Sequence, residues 1–271
     1  MKIKKKSKYI IDAHTHLGYW PTLNTSLNTL LTSMKNHNID FSIVSFDGSE
    51  FKEPNRFNKL IPQLSASKKL LSIVKENKSL LPLIWIRPHT EKNSQELETF
   101  LEKHRDFFYG LKFHPYTSRL RISDPRLAPY LNIARKFNYP ILVHTALDKY
   151  SQIKYLCEVC SLYKDINFIA AHAILESDHL ETIELLKKYS NLYIDTAWVN
   201  ISFIKNLKEE NLMDRVLFGT DNPIDGDKTL NEEIYLDYFK NKIRLNKIDY
   251  EKLMYLNAIK VYKMDLDKLK N

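Results

Sequence analysis

The chain predicts an α/β fold, a TIM-like (β/α)8 barrel, and three observations carry that prediction. Short apolar runs rich in Ile, Val, Phe and Tyr alternate with longer segments of helical periodicity. The alternation repeats eight times at roughly 25 to 40 residues, the arithmetic of a barrel. Finally, five of the nine histidines fall at the ends of these runs and an aspartate follows the eighth, and barrel chemistry sits at the C-terminal ends of strands.

The elements follow in order. The strand segments are 9–16, 40–46, 81–87, 108–114, 140–145, 167–172, 192–196 and 216–220. Each is short and apolar, as a strand buried on both faces must be. The intervening helices are 26–37, 58–76, 94–104, 125–137, 149–163, 177–189, 201–210 and 230–240, with a last helix at 250–264. Ser94, Asp124 and Ser177 stand where N-caps are expected. No Pro/Gly/Ser-rich linker divides the chain, so residues 1–271 read as one barrel domain with a basic extension at 1–8. A doubly wound sheet is the competing architecture. It would favour a glycine-rich first turn, which this chain lacks.

Composition narrows the function classes. Hydrophobic residues make up 44% and charged residues 27%, the balance of a soluble globular protein. No apolar run approaches the ~18 to 20 residues of a membrane span, and the basic start lacks a signal-peptide pattern, so a cytoplasmic protein with no membrane partner is expected. Only 5 glycines occur, none spaced as GxGxxG or GxxxxGK, which excludes those dinucleotide and phosphate loops. Three of them, Gly18, Gly110 and Gly219, lie in the segments that carry chemistry. The net charge is +8 and the pI about 9.1. The lysines are spread along helices, which reads as a solvated face rather than a nucleic-acid footprint. Cys157 and Cys160 lie three apart in a helical segment with no second pair, so they read as reduced thiols rather than a zinc site.

The polar strand ends converge. His14 and His16 are two apart, so on a strand they share a face. His114, His144 and His172 end the fourth, fifth and sixth strand segments, and Asp221 follows the eighth. Each histidine alone reads as a satisfied core residue. Together, imidazoles and a carboxylate gathered at one barrel mouth are what a divalent metal needs, zinc first, with manganese, iron and nickel also suited. Lys112 shares a face with His114. It can pair with Asp221, bind an anionic substrate, or carry a carbamate between two metals. Arg87 ends the third strand segment, and His89, Tyr116, Arg119 and Trp198 lie on loops expected at the rim.

The ordered set DAHTHLG, GLKFHP, ILVHTA, FIAAHA, NLYIDTA and LFGTDNP resembles the amidohydrolase superfamily, closest to its amidohydrolase-related (amidohydrolase type 2) branch. The resemblance covers nearly the whole chain. It implies metal held by His14, His16, His144 and Asp221, with His172 completing a second metal site or orienting water or substrate. One metal or two are both allowed, and a carboxylated lysine would map to Lys112. It further implies a hydrolase acting through activated water on a small substrate, an ester, lactone or amide bearing a carboxylate. Asp221, His172 and Lys112 would be the catalytic groups, with Arg87, His114 and Trp198 toward the substrate. The branch also contains decarboxylases with the same ligands. TatD-type nucleases share the barrel but carry a glutamate where Lys112 stands. A binding protein that keeps metal without turnover is the remaining alternative. A homo-oligomer is compatible with the sequence.

Overall fold

The computed structural model describes residues 7–18, 25–46, 49–50, 59–89, 91 and 94–270. Most of the basic extension, residues 1–6, lies outside the described residues, as does residue 58 at the expected start of the second helix.

Eight parallel strands follow one another around the ring: β1 Ile11–Leu17, β2 Phe41–Phe46, β3 Leu80–Trp85, β4 Gly110–Phe113, β5 Ile141–Ala146, β6 Phe168–Leu175, β7 Leu192–Asp195 and β8 Val216–Leu217. Each pairs in parallel with the next. The segment after β8 closes the ring onto β1. Ala13 N donates to Phe218 O at 2.7 Å, Asp221 N to His14 O at 2.8 Å and His16 N to Asn222 O at 2.9 Å. The predicted barrel is therefore the observed fold.

Helices cover the strands from outside, which is why nearly every strand residue is buried. The first helix, Leu27–His37, begins where Ser26 accepts from Thr29 N at 3.2 Å and ends at Asn38 with φ 56°. Asp124 caps the short turn Pro125–Leu127, accepting from Arg126 N at 3.0 Å. Ser177 accepts from His179 N at 3.0 Å in the turn before helix Glu181–Lys188.

Several boundaries differ from the sequence reading, three of them for a visible reason or with a visible replacement. The second helix is Gln63–Glu76, because Pro62 stands at its N-cap and a residue before proline avoids the helical region. Ahead of it, Lys59–Leu60 pairs antiparallel with Ser49–Glu50. The fourth strand stops at Phe113, and His114 instead caps the turn Pro115–Ser118. The eighth helix begins at Glu233, after the 3₁₀ segment Gly226–Asn231.

Gly110 opens β4 for a steric reason: a Cβ there would lie 2.6 Å from Pro140 O of the adjoining strand segment. Cys157 and Cys160 are free and buried on helix Ile153–Leu162, and burial pushes the Cys157 thiol up to about 11. Among the described residues, no helix is long and apolar enough to cross a membrane.

Candidate active site

The strand pleat places His14 and His16 on one side of β1, with their Nε2 atoms 3.1 Å apart. Asp221 reaches them from the far side of the barrel seam. Its Oδ1 lies 2.8 Å from His16 Nε2 and 3.3 Å from His14 Nε2. Three donor atoms at these separations suit a single cation: ligands ~2.0 to 2.1 Å from tetrahedral zinc stand about 3.3 Å apart.

The tautomers, assigned from hydrogen-bond partners, fit the same purpose. His14 Nδ1 is 2.8 Å from Asp195 Oδ2, a carboxylate that can only accept, so the ring proton sits on Nδ1 and Nε2 offers a lone pair. Ser45 Oγ donates to Thr15 O at 3.4 Å and is 3.0 Å from His16 Nδ1. That hydroxyl therefore accepts from His16, leaving its Nε2 lone pair free as well. Burial, helped by the nearby Lys112, holds His14 neutral by lowering its pKa far below the usual imidazole value. Burial works against the Asp221 carboxylate, but the facing His14, His16 and His172 hold it well below the usual carboxylate range. Two neutral imidazoles and an ionised carboxylate form a donor set that a divalent cation satisfies.

Asp195, at the end of β7, organises this cluster. It is fully buried, and its other oxygen accepts from His172 N at 2.9 Å and Ala197 N at 3.1 Å. The sequence reading missed it as a site residue. The available signal was a carboxylate ending the buried run LYID, a place where an ionisable group needs partners. Gly219 lies between these walls: a Cβ there would stand 3.0 Å from both Asp195 Cβ and His14 Cβ. Gly219→Ala is thus expected to destabilise the protein by ~1 to 3 kcal/mol through overpacking. Thermal unfolding checks this, and an unchanged Tm would remove the steric argument.

Lys112 enters from β4, 1% exposed, with Nζ 2.9 Å from His14 Nε2. Burial brings its ammonium pKa down to about 8, against the pull of Asp221 and Asp195. His172 ends the apolar part of β6 in left-handed backbone (φ 68°), followed by Ala173 (46°) and Ile174 (73°). Such backbone costs ~1 to 3 kcal/mol per residue and persists only when over-determined. Here Thr145 Oγ1 accepts from Ile174 N at 3.1 Å and donates to Ala171 O at 2.6 Å, while His172 Nδ1 donates to Ala197 O at 3.2 Å. Burial lowers the His172 pKa to about 4.

His144 stands one step from the three-atom cluster. Its Nδ1 is 3.1 Å from His172 Nε2, and its ring stacks on His114 with centroids 4.0 Å apart. Among the described residues, the groups able to share one ion are His14, His16 and Asp221, and His14, His172 and Asp195. His114 in turn stacks on Trp85, a residue of β3 that the sequence reading passed over. Arg87 is buried just past β3, where its amide donates to Gln63 Oε1 at 2.6 Å. Trp198 turns inward and donates Nε1–H to Asp221 Oδ2 at 3.0 Å. A cavity of about 470 Å³ lies at the opposite end of the barrel, beside Leu80 at the start of β3 and Tyr109 and Tyr139 just ahead of β4 and β5.

A closed barrel with histidines and an aspartate converging at its C-terminal end defines a class of metal-dependent enzymes. The amidohydrolase family model matches residues 11–264, and the chain belongs to that family. No curated protein matches it. Solved structures share the fold at low identity. One is a probable 2-pyrone-4,6-dicarboxylic acid hydrolase of Acinetobacter baumannii with citric acid bound, 13% identical, covering 94% of this chain and 99% of that one, TM-score 0.62. Another is the 5-carboxyvanillate decarboxylase of Novosphingobium aromaticivorans with manganese and 4-hydroxy-3-methoxy-5-nitrobenzoic acid, 11% identical, covering 97% and 99%, TM-score 0.71. A third is a 2,6-dihydroxybenzoate decarboxylase with its named acid, 15% identical, covering 96% and 99%, TM-score 0.68.

Proposed function

We propose that the chain is a metal-dependent hydrolase acting on a small carboxylate-bearing ester, lactone or amide, and that one domain carries the whole site. The observation that carries this reading is the convergence of two Nε2 lone pairs and one ionised carboxylate within 3.3 Å of one another. His14, His16 and Asp221 would hold the cation, with His144 and His172 completing its surroundings. Zinc is the metal proposed; manganese, present in the carboxyvanillate decarboxylase, is the other one to test. The cation would supply Lewis acidity, which in hydrolytic enzymes brings the pKa of bound water down to ~7.

The chain's own groups do the rest. The Asp221 carboxylate takes the water's proton and passes it to the leaving group. His172, a neutral ring whose Nδ1–H is held by Ala197 O, keeps an Nε2 lone pair that can accept a hydrogen bond from the attacking water or a substrate hydroxyl. Lys112 and Arg87 recognise the carboxylate of the substrate, and His114 and Trp198 border it. Carboxylate recognition is supported by the acids bound in, or named for, all three structural relatives.

Decarboxylation of an aromatic acid is the second reading. Two of the relatives bear that activity in their names, and the buried Lys112, beside neutral imidazoles, could deliver a proton to carbon as carbon dioxide departs. TatD-type nuclease activity is disfavoured by Lys112 at its β4 position. A panel of esters, lactones, amides and aromatic acids, run on metal-reconstituted protein, decides between the readings. The hydrolase reading predicts water-dependent product without carbon dioxide. Carbon dioxide release with no turnover of the esters, lactones or amides would replace it with the lyase reading.

A further inference from the structure

The two oxygens of Asp221 face different partners. Oδ1 faces the paired histidines, whereas Oδ2 accepts from Trp198 Nε1 at 3.0 Å. Trp198 is itself held. Its backbone amide donates to Tyr235 Oη at 3.1 Å, and the Tyr235 hydroxyl donates to Thr220 O at 2.6 Å, the carbonyl just before Asp221. The two rings meet edge-on, with centroids 5.6 Å apart and planes at 64°. Trp198 and Asp221 both have φ 61°, a conformation that L-residues keep only when their surroundings over-determine it. Tyr235 is fully buried, and burial raises its phenol pKa well above the usual value, so its proton stays in place.

We propose that Trp198 is a positioning residue: its indole N–H selects which Asp221 oxygen is presented to His14 and His16, and Tyr235 holds the indole there by bonding the backbone of both segments. The inference rests on the reading of Asp221 as a metal ligand. Without the indole N–H, the carboxylate is free to rotate about its last bond and loses its set direction. Loss of such an outer partner typically lowers metal affinity ~10- to 100-fold. A Trp198 that only bordered substrate would leave metal affinity unchanged.

The test uses the full chain, stripped with chelator and titrated with Co²⁺. Dissociation constants come from chelator competition, and the visible absorption bands report the ligand geometry. Wild type is expected to bind. A folded wild type that binds no Co²⁺ overturns the metal-site reading and this inference with it. With wild type binding, Trp198→Phe is expected to bind ~10- to 100-fold more weakly with altered visible bands. Wild-type affinity and bands in Trp198→Phe overturn the inference and leave the site reading standing. Tyr235→Phe keeps the indole but frees its backbone, so it is expected to weaken binding several-fold. If Trp198→Phe does not fold, Tyr235→Phe decides. A lowered melting temperature with wild-type Co²⁺ affinity in that variant would assign Tyr235 to stability alone and overturn the relay.

Discussion

Asp221→Asn is expected to keep the fold and retain metal, with somewhat weaker affinity, while turnover falls ~100-fold or more, the usual scale for losing a general base. Asparagine keeps the shape and one oxygen, for which the Trp198 indole N–H competes with the cation, and this competition is why the affinity is expected to weaken. The amide cannot take a proton from water. His14→Ala, by contrast, should lose metal and activity together, because His14 Nε2 is common to the cluster. Metal content and rate measured on the same preparation of Asp221→Asn separate ligand from base. Near-normal turnover there would remove Asp221 as the base and move that role to His172.

Asp195→Asn carries the second large expected effect, on metal affinity. His172 N and Ala197 N both donate to Oδ1, so an asparagine must place its oxygen there and its NH₂ toward His14 Nδ1. His14 then has to accept at Nδ1, and its proton moves to Nε2, the atom that would bind metal. The reversed amide is no better, since it would aim NH₂ at two backbone donors. Affinity is expected to fall ~10- to 100-fold, the scale for losing the carboxylate behind a ligating histidine. Asp195→Ala should also destabilise, since three buried donors lose their acceptor at ~1 to 3 kcal/mol each. Metal titration and thermal unfolding on both variants check this. Wild-type affinity in Asp195→Asn would show that the carboxylate does not set the His14 tautomer.

The barrel was legible because parallel strands buried on both faces read as unbroken apolar runs, and their number and spacing admit few architectures. His14 and His16 were legible because the pleat alone puts residues two apart on one face. Lys112 and His172 were legible as polar groups in apolar company. Asp195 was not, because its role depends on a partner 181 residues away in the chain, across the Gly219 seam. Trp198 was read as rim because loop residues usually are. Its left-handed backbone, which turns the indole inward onto Asp221, has no signature in a non-glycine residue. His144 was placed in the ligand set by its strand position and by the family resemblance; its ring contacts are with His172 and His114. Helix starts such as Gln63 moved for the local reason of a proline cap.

His14, His16 and Asp221 are the proposed holders of the divalent cation on which all of these roles depend. The most direct test is elemental analysis of wild type and His14→Ala after each is reconstituted with zinc or manganese and desalted. Wild type is expected to retain about one to two equivalents and His14→Ala close to none. A folded wild type that retains no metal, or equal metal in the two proteins, would contradict the account.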